Sequence, residues 1–398
     1  MIKNLTAREI LNSRGKPTIE VELETNRGIF KASVPSGAST GQNEAKEVNS
    51  QRAIKNINLI AKEIKGLNEK KQRKIDDLMI KMDGTEDKSY LGANTILAVS
   101  VAVCRAGAAA KKKSLYKYIQ KISKTKKQRG QSSLKMPRPC FNIINGGAHA
   151  GNDLDIQEFM IIPNHNSFRK NLKEGAGIYQ EVKQIIREKY GEQSINLGDE
   201  GGFSPDISKS LKVLDLVKEI IGDNVKIGLD VAASQFYRDE KYHFEGKVLT
   251  AEKLLDFYAD MIKKYPIEFI EDPFSEEDWK GFKKVTAKLK KITIVGDDLL
   301  TTNTERMRLA YAKDACNGVI IKPNQIGTVS ETLEAVKLAK LYGWKIIISH
   351  RSGETLDDFI ADLAVGVQSD YIKSGAPARG ERLAKYNRLL KIEEELGI

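Results

Sequence analysis

The stretch "GVIIKPNQ", Gly318 to Gln325, sets three β-branched apolar residues directly before Lys322 and Pro323. Such a run reads as a short buried strand. An ammonium group at its end is costly unless something nearby uses the charge. The same design recurs along the chain from residue 139 onward. "CFNIIN", "QEFMIIP", "KIGLDV", "IEFIED", "TIVGDD", "GVIIKP", "KIIISH" and "DYIKSG" are all short apolar runs that close on or beside polar residues. Two helical patterns, near 166–190 and 208–221, fill the long gap between the second and third runs. From the third run on, each gap is long enough for a βα unit. Eight runs suggest a closed (β/α)8 barrel; spacing alone leaves an open doubly wound sheet as the alternative.

In a barrel of this kind, chemistry gathers at the C-terminal strand ends. Those positions hold Asp230, Glu271 with Asp272, Asp297 with Asp298, Lys322, His350 with Arg351, and Lys373. Carboxylates aimed at one point raise each other's pKa unless a cation sits between them. All-oxygen ligands favour Mg²⁺ over zinc or copper, which recruit His or Cys. One such acid alone reads equally well as a helix N-cap. Three in succession, beside two lysines and an arginine, point to a site. Positive neighbours are expected to depress the pKa of Lys322 and Lys373 and so prepare a base. Glu200 in "NLGDEGGFSP" and His149 in "NGGAHAGN" stand among small residues that let a ligand come close. "VPSGASTG", Val34 to Gly41, reads as a mobile lid or a phosphate-contacting loop, with an ordinary turn as the plain alternative. His165 and His243 lie in polar segments and read as exposed.

The 398 residues allow a large core and two domains. The N-terminal part shows a hairpin signal, "TIEVELET" then "GIFKASVP", followed by helical patterns over about 43–65, 69–82 and 93–119. We expect an α+β domain over 1–121, a basic linker over 122–138 and a barrel over 139–398. The apolar stretch Thr95 to Ala110 is rich in small residues and broken by Arg105, so it reads as a core helix rather than a membrane span. The N-terminus shows no apolar signal region, and Cys104, Cys140 and Cys316 form no CxxC motif. Both features suit a reducing, cytoplasmic setting. The net charge is +11, and the segment from Lys111 to Arg138 carries eleven basic residues with no acid. That segment reads as a solvated helix end and linker. No interleaved aromatics or base-reading motif supports a nucleic-acid partner.

The chain resembles enolase, phosphopyruvate hydratase, along nearly its whole length. The resemblance rests on "SRGKPTIEVE", "VPSGASTG", "DGTEDKSYLGAN", "NGGAHAGN", "GDEGGFSP", "IEDPF", "DDLLTTN", "KPNQIGT", "SHRSGET" and "SGAPARGERLAKYN". The variants "IKPNQIGT" and "SGAPARGERLAKYNRLL" look most like archaeal members. The resemblance implies an N-terminal α+β domain and a barrel in ββαα(βα)6 order. It implies reversible dehydration of 2-phosphoglycerate to phosphoenolpyruvate with two Mg²⁺ ions per active site. By position, Asp230, Glu271 and Asp297 match ligands of the first metal, and Ser39 matches a mobile-loop ligand of the second. Lys322 matches the general base and Glu200 the general acid. His149 and Glu158 match groups that support that acid and the substrate. His350, Arg351 and Ser352 fall at the phosphate, and Lys373 at the substrate carboxylate. The resemblance also implies a homodimer or octamer, with Arg8 facing Glu381 and Glu20 facing Lys391 between subunits. Asn12, Lys16, Gln235 (where Glu is usual) and Lys391 (where Arg is usual) depart from the family pattern. Two other readings remain: an acid-sugar dehydratase of the same superfamily, and an added RNA- or anion-binding role for the basic segment. The phosphate motif "SHRSGET" speaks against the first, because acid sugars lack phosphate.

Overall fold

A computed structural model describes residues 1–37, 41–123 and 134–398. Ser39 and most of the expected basic linker lie outside the described residues.

The N-terminal part begins with an antiparallel three-stranded sheet: β1 (Ile2–Leu11), β2 (Pro17–Thr25) and β3 (Gly28–Ser33). The expected hairpin is β2–β3. The sequence reading passed over β1, which pairs with β2 through Arg8 opposite Glu20. As an edge strand it buries only Ile2 and Leu5, so it lacks a clean apolar alternation. Four helices follow: α1 (Ser50–Ile64), α2 (Gln72–Asp83), α3 (Ala93–Ala110) and α4 (Leu115–Ser123). The helix expected from residue 43 starts only at Ser50, where the Asn49 side chain caps Arg52 N–H at 2.9 Å. The pattern read as one helix over 93–119 is two, because the chain breaks after Ala110 and Lys112 takes a left-handed φ of 52°. α3 has the length and apolar composition of a membrane span, but it is the packed centre of this part, buried on nearly every side.

All eight expected runs form one closed barrel. Its strands are β4 (Arg138–Asn145), β5 (Glu158–Pro163), β6 (Val225–Asp230), β10 (Ile267–Glu271), β11 (Thr293–Gly296), β12 (Gly318–Ile321), β13 (Lys345–Ser349) and β14 (Tyr371–Lys373). A small meander, β7 (Tyr237–Arg238), β8 (Lys241–Phe244) and β9 (Lys247–Leu249), interrupts the rhythm after β6. Nine helices clothe or cap the barrel: α5 (Phe168–Tyr190), α6 (Ser210–Ile220), α7 (Ala251–Lys264), α8 (Trp279–Lys288), α9 (Thr304–Ala312), α10 (Pro323–Ile326), α11 (Val329–Leu341), α12 (Phe359–Val367) and α13 (Gly380–Leu396). The order is the expected ββαα(βα)6.

β5 runs antiparallel to both β4 and β6, while the other neighbours are parallel. This reversal brings the start of β5, not its end, to the mouth formed by the C-terminal ends of the other strands. Glu158 therefore pairs in register with Asp230. Inside the barrel, Cys140, Met160, Ile162, Phe269, Val295, Ile320, Ile347 and Tyr371 form a separate buried cluster. Gly228 leaves room for one of them, since a Cβ there would lie 2.6 Å from the Phe269 ring. The alternate residues of the same strands pack outward against the helices, so both faces are apolar and the runs read as continuous.

Candidate active site

The barrel mouth holds a cleft of about 490 Å³ lined almost wholly by polar side chains. Lys373, at the end of β14, faces three acids. Its Nζ donates to Asp230 Oδ2 at 3.0 Å and to Glu271 Oε2 at 2.9 Å, and lies 3.2 Å from Glu158 Oε1. All four side chains are buried. Lys322, just past β12, forms a close ion pair with Asp297 from the end of β11. Pro323 follows at the first position of α10, so strand and helix together hold the Lys322 backbone. Its N–H also donates to Thr302 Oγ1 at 2.9 Å.

The protein's own acids dominate the surroundings of both lysines. Burial lowers the pKa of Lys322, but the Asp297 carboxylate outweighs it and the net shift is upward. Burial likewise disfavours the Lys373 charge, and Asp230, Glu158 and Glu271 more than restore it. At Lys322 the charges of Arg351 and Lys373 push in the same direction as burial, but acids prevail at both ammonium groups. The acids divide in turn. Burial carries Glu271 and Glu158 well above the ordinary carboxylate range, and neighbouring carboxylates add to this. Burial also raises Asp297, but the adjoining Lys322 ammonium brings it below its usual value.

On another side of the cleft, Glu200 Oε2 meets His350 Nε2 at 3.1 Å. The Arg382 guanidinium donates to His350 Nδ1 at 2.6 Å. An arginine can only donate, so Nδ1 is the acceptor and Nε2–H donates to Glu200. Burial lowers His350 to about 4, which agrees with a neutral ring. Asn142 Nδ2 donates to the same Glu200 oxygen at 3.2 Å. Burial pushes Glu200 upward, yet His350, His149 and Lys373 together carry it well below the usual range. Its neighbour Glu158 is pushed the opposite way, by burial and by the Glu200 carboxylate. His149 lies 3.5 Å from Glu158 and 3.7 Å from Glu200, and burial lowers its pKa. Glu158 Oε2 has no hydrogen-bond partner among the described residues.

Arg351 is buried and faces the cleft, with Nη1 donating to Glu44 Oε2 at 2.9 Å and to Asn324 Oδ1 at 3.1 Å. Ser352 lines the cleft beside it. The loop that precedes Ser39 is anchored here: Ser36 and Gly353 exchange two backbone hydrogen bonds of 2.9 Å. His165 and His243, expected at the surface, are half-buried, and His165 sits 2.8 Å from Glu174.

The chain belongs to the enolase family. The family model for the enolase N-terminal domain matches residues 2–119, and the one for the enolase C-terminal TIM barrel domain matches residues 133–398. Enolase B of Dictyostelium discoideum is 48% identical over 426 aligned positions, covering 99% of this chain and 95% of that protein.

The structure brings the expected enolase residues to one mouth, Ser39 apart. Their finer grouping differs from a single ring of three acids. The tight groups are His149, Glu158 and Glu200, and separately Asp272, Asp297 and Asp298; Asp230 and Glu271 meet through Lys373. The donor set suits a hard divalent cation: it is rich in carboxylate oxygens, and the one Lys373 ammonium faces three of these acids, Glu158, Asp230 and Glu271. Sequence reasoning placed Asp272 at the mouth without giving it a role and left out Gln325, Glu44 and Arg382. Asp272 accepts the amides of Asp297 (3.0 Å) and Asp298 (2.7 Å) and so aims the end of β11. Gln325 Nε2 donates to Asp297 Oδ1 at 3.1 Å, and Glu44 holds Arg351. Arg382 sets the His350 tautomer. Asp272, Gln325 and Arg382 stood inside stretches already singled out, but nothing in their spacing says where they point.

Proposed function

We propose a division of labour for the enolase reaction, the reversible dehydration of 2-phosphoglycerate to phosphoenolpyruvate. As a phosphopyruvate hydratase, a hydro-lyase, the chain serves glycolysis and, in reverse, gluconeogenesis. Lys322 is the base that takes the C2 proton. Glu200 is the acid that protonates the departing C3 hydroxyl. The observation that carries this reading is that Lys322 and the Glu200–His350 pair, from distant parts of the chain, line one buried cleft.

A proton next to an ionised carboxylate is weakly acidic, because its removal builds further negative charge on that carboxylate. Asp230, Glu271 and Asp297, with Ser39 from the loop, would hold two Mg²⁺ ions at the substrate carboxylate. Bound there, Mg²⁺ supplies Lewis-acid neutralisation of the developing charge. Lys373 is placed to stabilise the same charge. To act as base, Lys322 must be neutral, so its pairing with Asp297 has to loosen when the cleft fills. Glu200 must in turn be protonated, and a bound anion raises an acid's pKa and favours that state. His149 and Glu158 lie next to the acid, while His350 orients it. Arg351 and Ser352 receive the phosphate, with Arg351 exchanging Glu44 for it.

We further take 1–121 as a capping domain with a mobile loop, 122–138 as a basic linker and 139–398 as the catalytic barrel, working in the cytoplasm as a homodimer or octamer. Three free, buried cysteines suit a reducing compartment. Within one chain Arg8 pairs with Glu20 and Glu22, and Glu381 with Arg379. A contact between subunits would have to share or replace those pairs. The direct test is an ultraviolet assay for phosphoenolpyruvate formed from 2-phosphoglycerate. Activity with Mg²⁺ and its loss with EDTA are expected; inactivity with Mg²⁺ would refute the reading.

A further inference from the structure

Gln235, where the family usually has Glu, sits exposed in the turn after β6, at the rim of the cleft. Its Oε1 accepts the N–H of Ala148 at 2.9 Å. A backbone N–H only donates, so this end of the amide is fixed. The Nε2 group then donates to Gln157 Oε1. That leaves Gln157 Nε2 to donate to Asp230 Oδ2 at 3.2 Å. A carboxylate only accepts, so the far end is fixed as well. The three hydrogen bonds run one way, from loop amide to carboxylate. Neither glutamine can flip without breaking a bond on each side. Gly147 makes the approach possible, since a Cβ there would lie 2.8 Å from Gln235 Oε1.

Both ends of this chain matter to the site. Ala148 adjoins His149, whose Nδ1 lies 3.5 Å from Glu158 and has no hydrogen-bond partner among the described residues. At the other end, Asp230 Oδ1 receives the Ala232 N–H at 3.1 Å, while Oδ2 receives Lys373 at 3.0 Å together with Gln157. These contacts set the plane of the carboxylate. We propose that Gln157 and Gln235 form a one-way amide relay that orients Asp230 for its metal and holds the His149 loop. Gln235 is a positioning residue, and the proposal rests on the enolase reading above. In Gln235→Glu the new carboxylate accepts from Ala148 but has nothing to donate to Gln157. Gln157 must then turn its NH₂ group toward that carboxylate and its oxygen toward Asp230, which releases Asp230.

The test compares wild type, Gln235→Met, Gln235→Glu, Gln157→Leu and the double variant Gln235→Met with Gln157→Leu. Calorimetry reads Mg²⁺ affinity of the substrate-free protein, and the ultraviolet assay reads kcat. Each single variant is expected to bind Mg²⁺ about tenfold more weakly. The double variant should be no weaker than the worse single one, because both changes cut the same chain. Gln235→Glu should also bind more weakly, despite its added negative charge. Wild-type affinity in Gln235→Met, additive losses in the double variant, or tighter binding by Gln235→Glu would each overturn the relay. Should Gln157→Leu fail to fold, the two variants at the exposed position 235 decide the matter. A wild type that binds Mg²⁺ but forms no phosphoenolpyruvate counts against the enolase reading alone, and calorimetry still judges the relay. No Mg²⁺ binding by wild type overturns both.

Discussion

Lys322 and Glu200 are the two side chains whose separate removal should divide the reaction into halves. With Lys322→Ala, C2 proton exchange in deuterium oxide should fall by about 10³-fold or more, and phosphoenolpyruvate formation with it. Exchange at the wild-type rate would assign the base elsewhere. Glu200→Gln keeps Lys322 but removes the acid. It should retain exchange of the C2 proton while dehydration falls by about 10²–10⁴-fold. Equal loss of both rates in Glu200→Gln would mean that this residue serves the proton-abstraction step too. At this scale the sequence was legible for residue type and poor for charge state. Lys322 and Lys373 were expected to be discharged by a metal and by each other, and the protein's own acids push both in the opposite direction. The sign depends on which neighbour is nearest, and that is a property of packing.

Among the elements, α11 shows how the two parts of the chain share polar groups. Asp76 of α2 is fully buried and accepts the Ser330 N–H at 3.0 Å in the first turn of α11. It also accepts Ser100 Oγ of α3 at 2.8 Å and Gln72 Nε2 at 3.1 Å. An acid at a helix N-terminus is favourable, but burial raises Asp76 to about 6. An acid whose pKa is higher folded than unfolded stabilises most below its unfolded value. That contribution fades as pH rises through the folded value. Asp76 should therefore stabilise the fold by about 2 kcal/mol more at pH 4 than at pH 7. Urea unfolding of wild type and Asp76→Asn across this range should show the variant gaining relative stability as pH rises from about 4 to 6. A constant difference between them would mean that Asp76 does not titrate there. Elements themselves were legible where apolar periodicity was strong, as in all eight barrel strands. β1 was not, because an edge strand has one poorly buried face. Nor was the true start of α1, because residues before Asn49 reach the active site instead: Ala45 N–H donates to Gln325 O at 2.9 Å.

Across the whole molecule, the N-terminal part is clamped to the barrel by Arg105 of α3. Its guanidinium donates to both Asp357 oxygens, at 2.6 and 2.9 Å, to Asp358 at 3.0 Å and to Lys31 O at 2.6 Å. Burial raises Asp357, but Arg105 carries it below its usual value. Asp357 Oδ2 also accepts Ser33 N–H of β3 at 3.1 Å, so one carboxylate joins sheet, helix and barrel. Arg105→Ala leaves that carboxylate buried and unpaired, and should cost about 3 kcal/mol in unfolding experiments. A loss below about 0.5 kcal/mol would show that the clamp contributes little. The same substitution should raise KM more than it lowers kcat, since it loosens the lobe that carries the Ser39 loop and leaves the barrel's own side chains in place.

By itself the sequence determined the number and order of the barrel strands, the residue types at their ends and the family. Each follows from local order: apolar runs, their spacing, and short motifs that need no partner to be recognised. Only the tertiary structure decided that β5 runs backward and delivers Glu158 to the mouth, that Glu44 from the first domain holds Arg351, and which way each buried carboxyl is pushed. Those outcomes depend on which distant groups share a low-dielectric space. Coulomb energies and hydrogen-bond directions act over a few ångströms in space, whatever the distance along the chain.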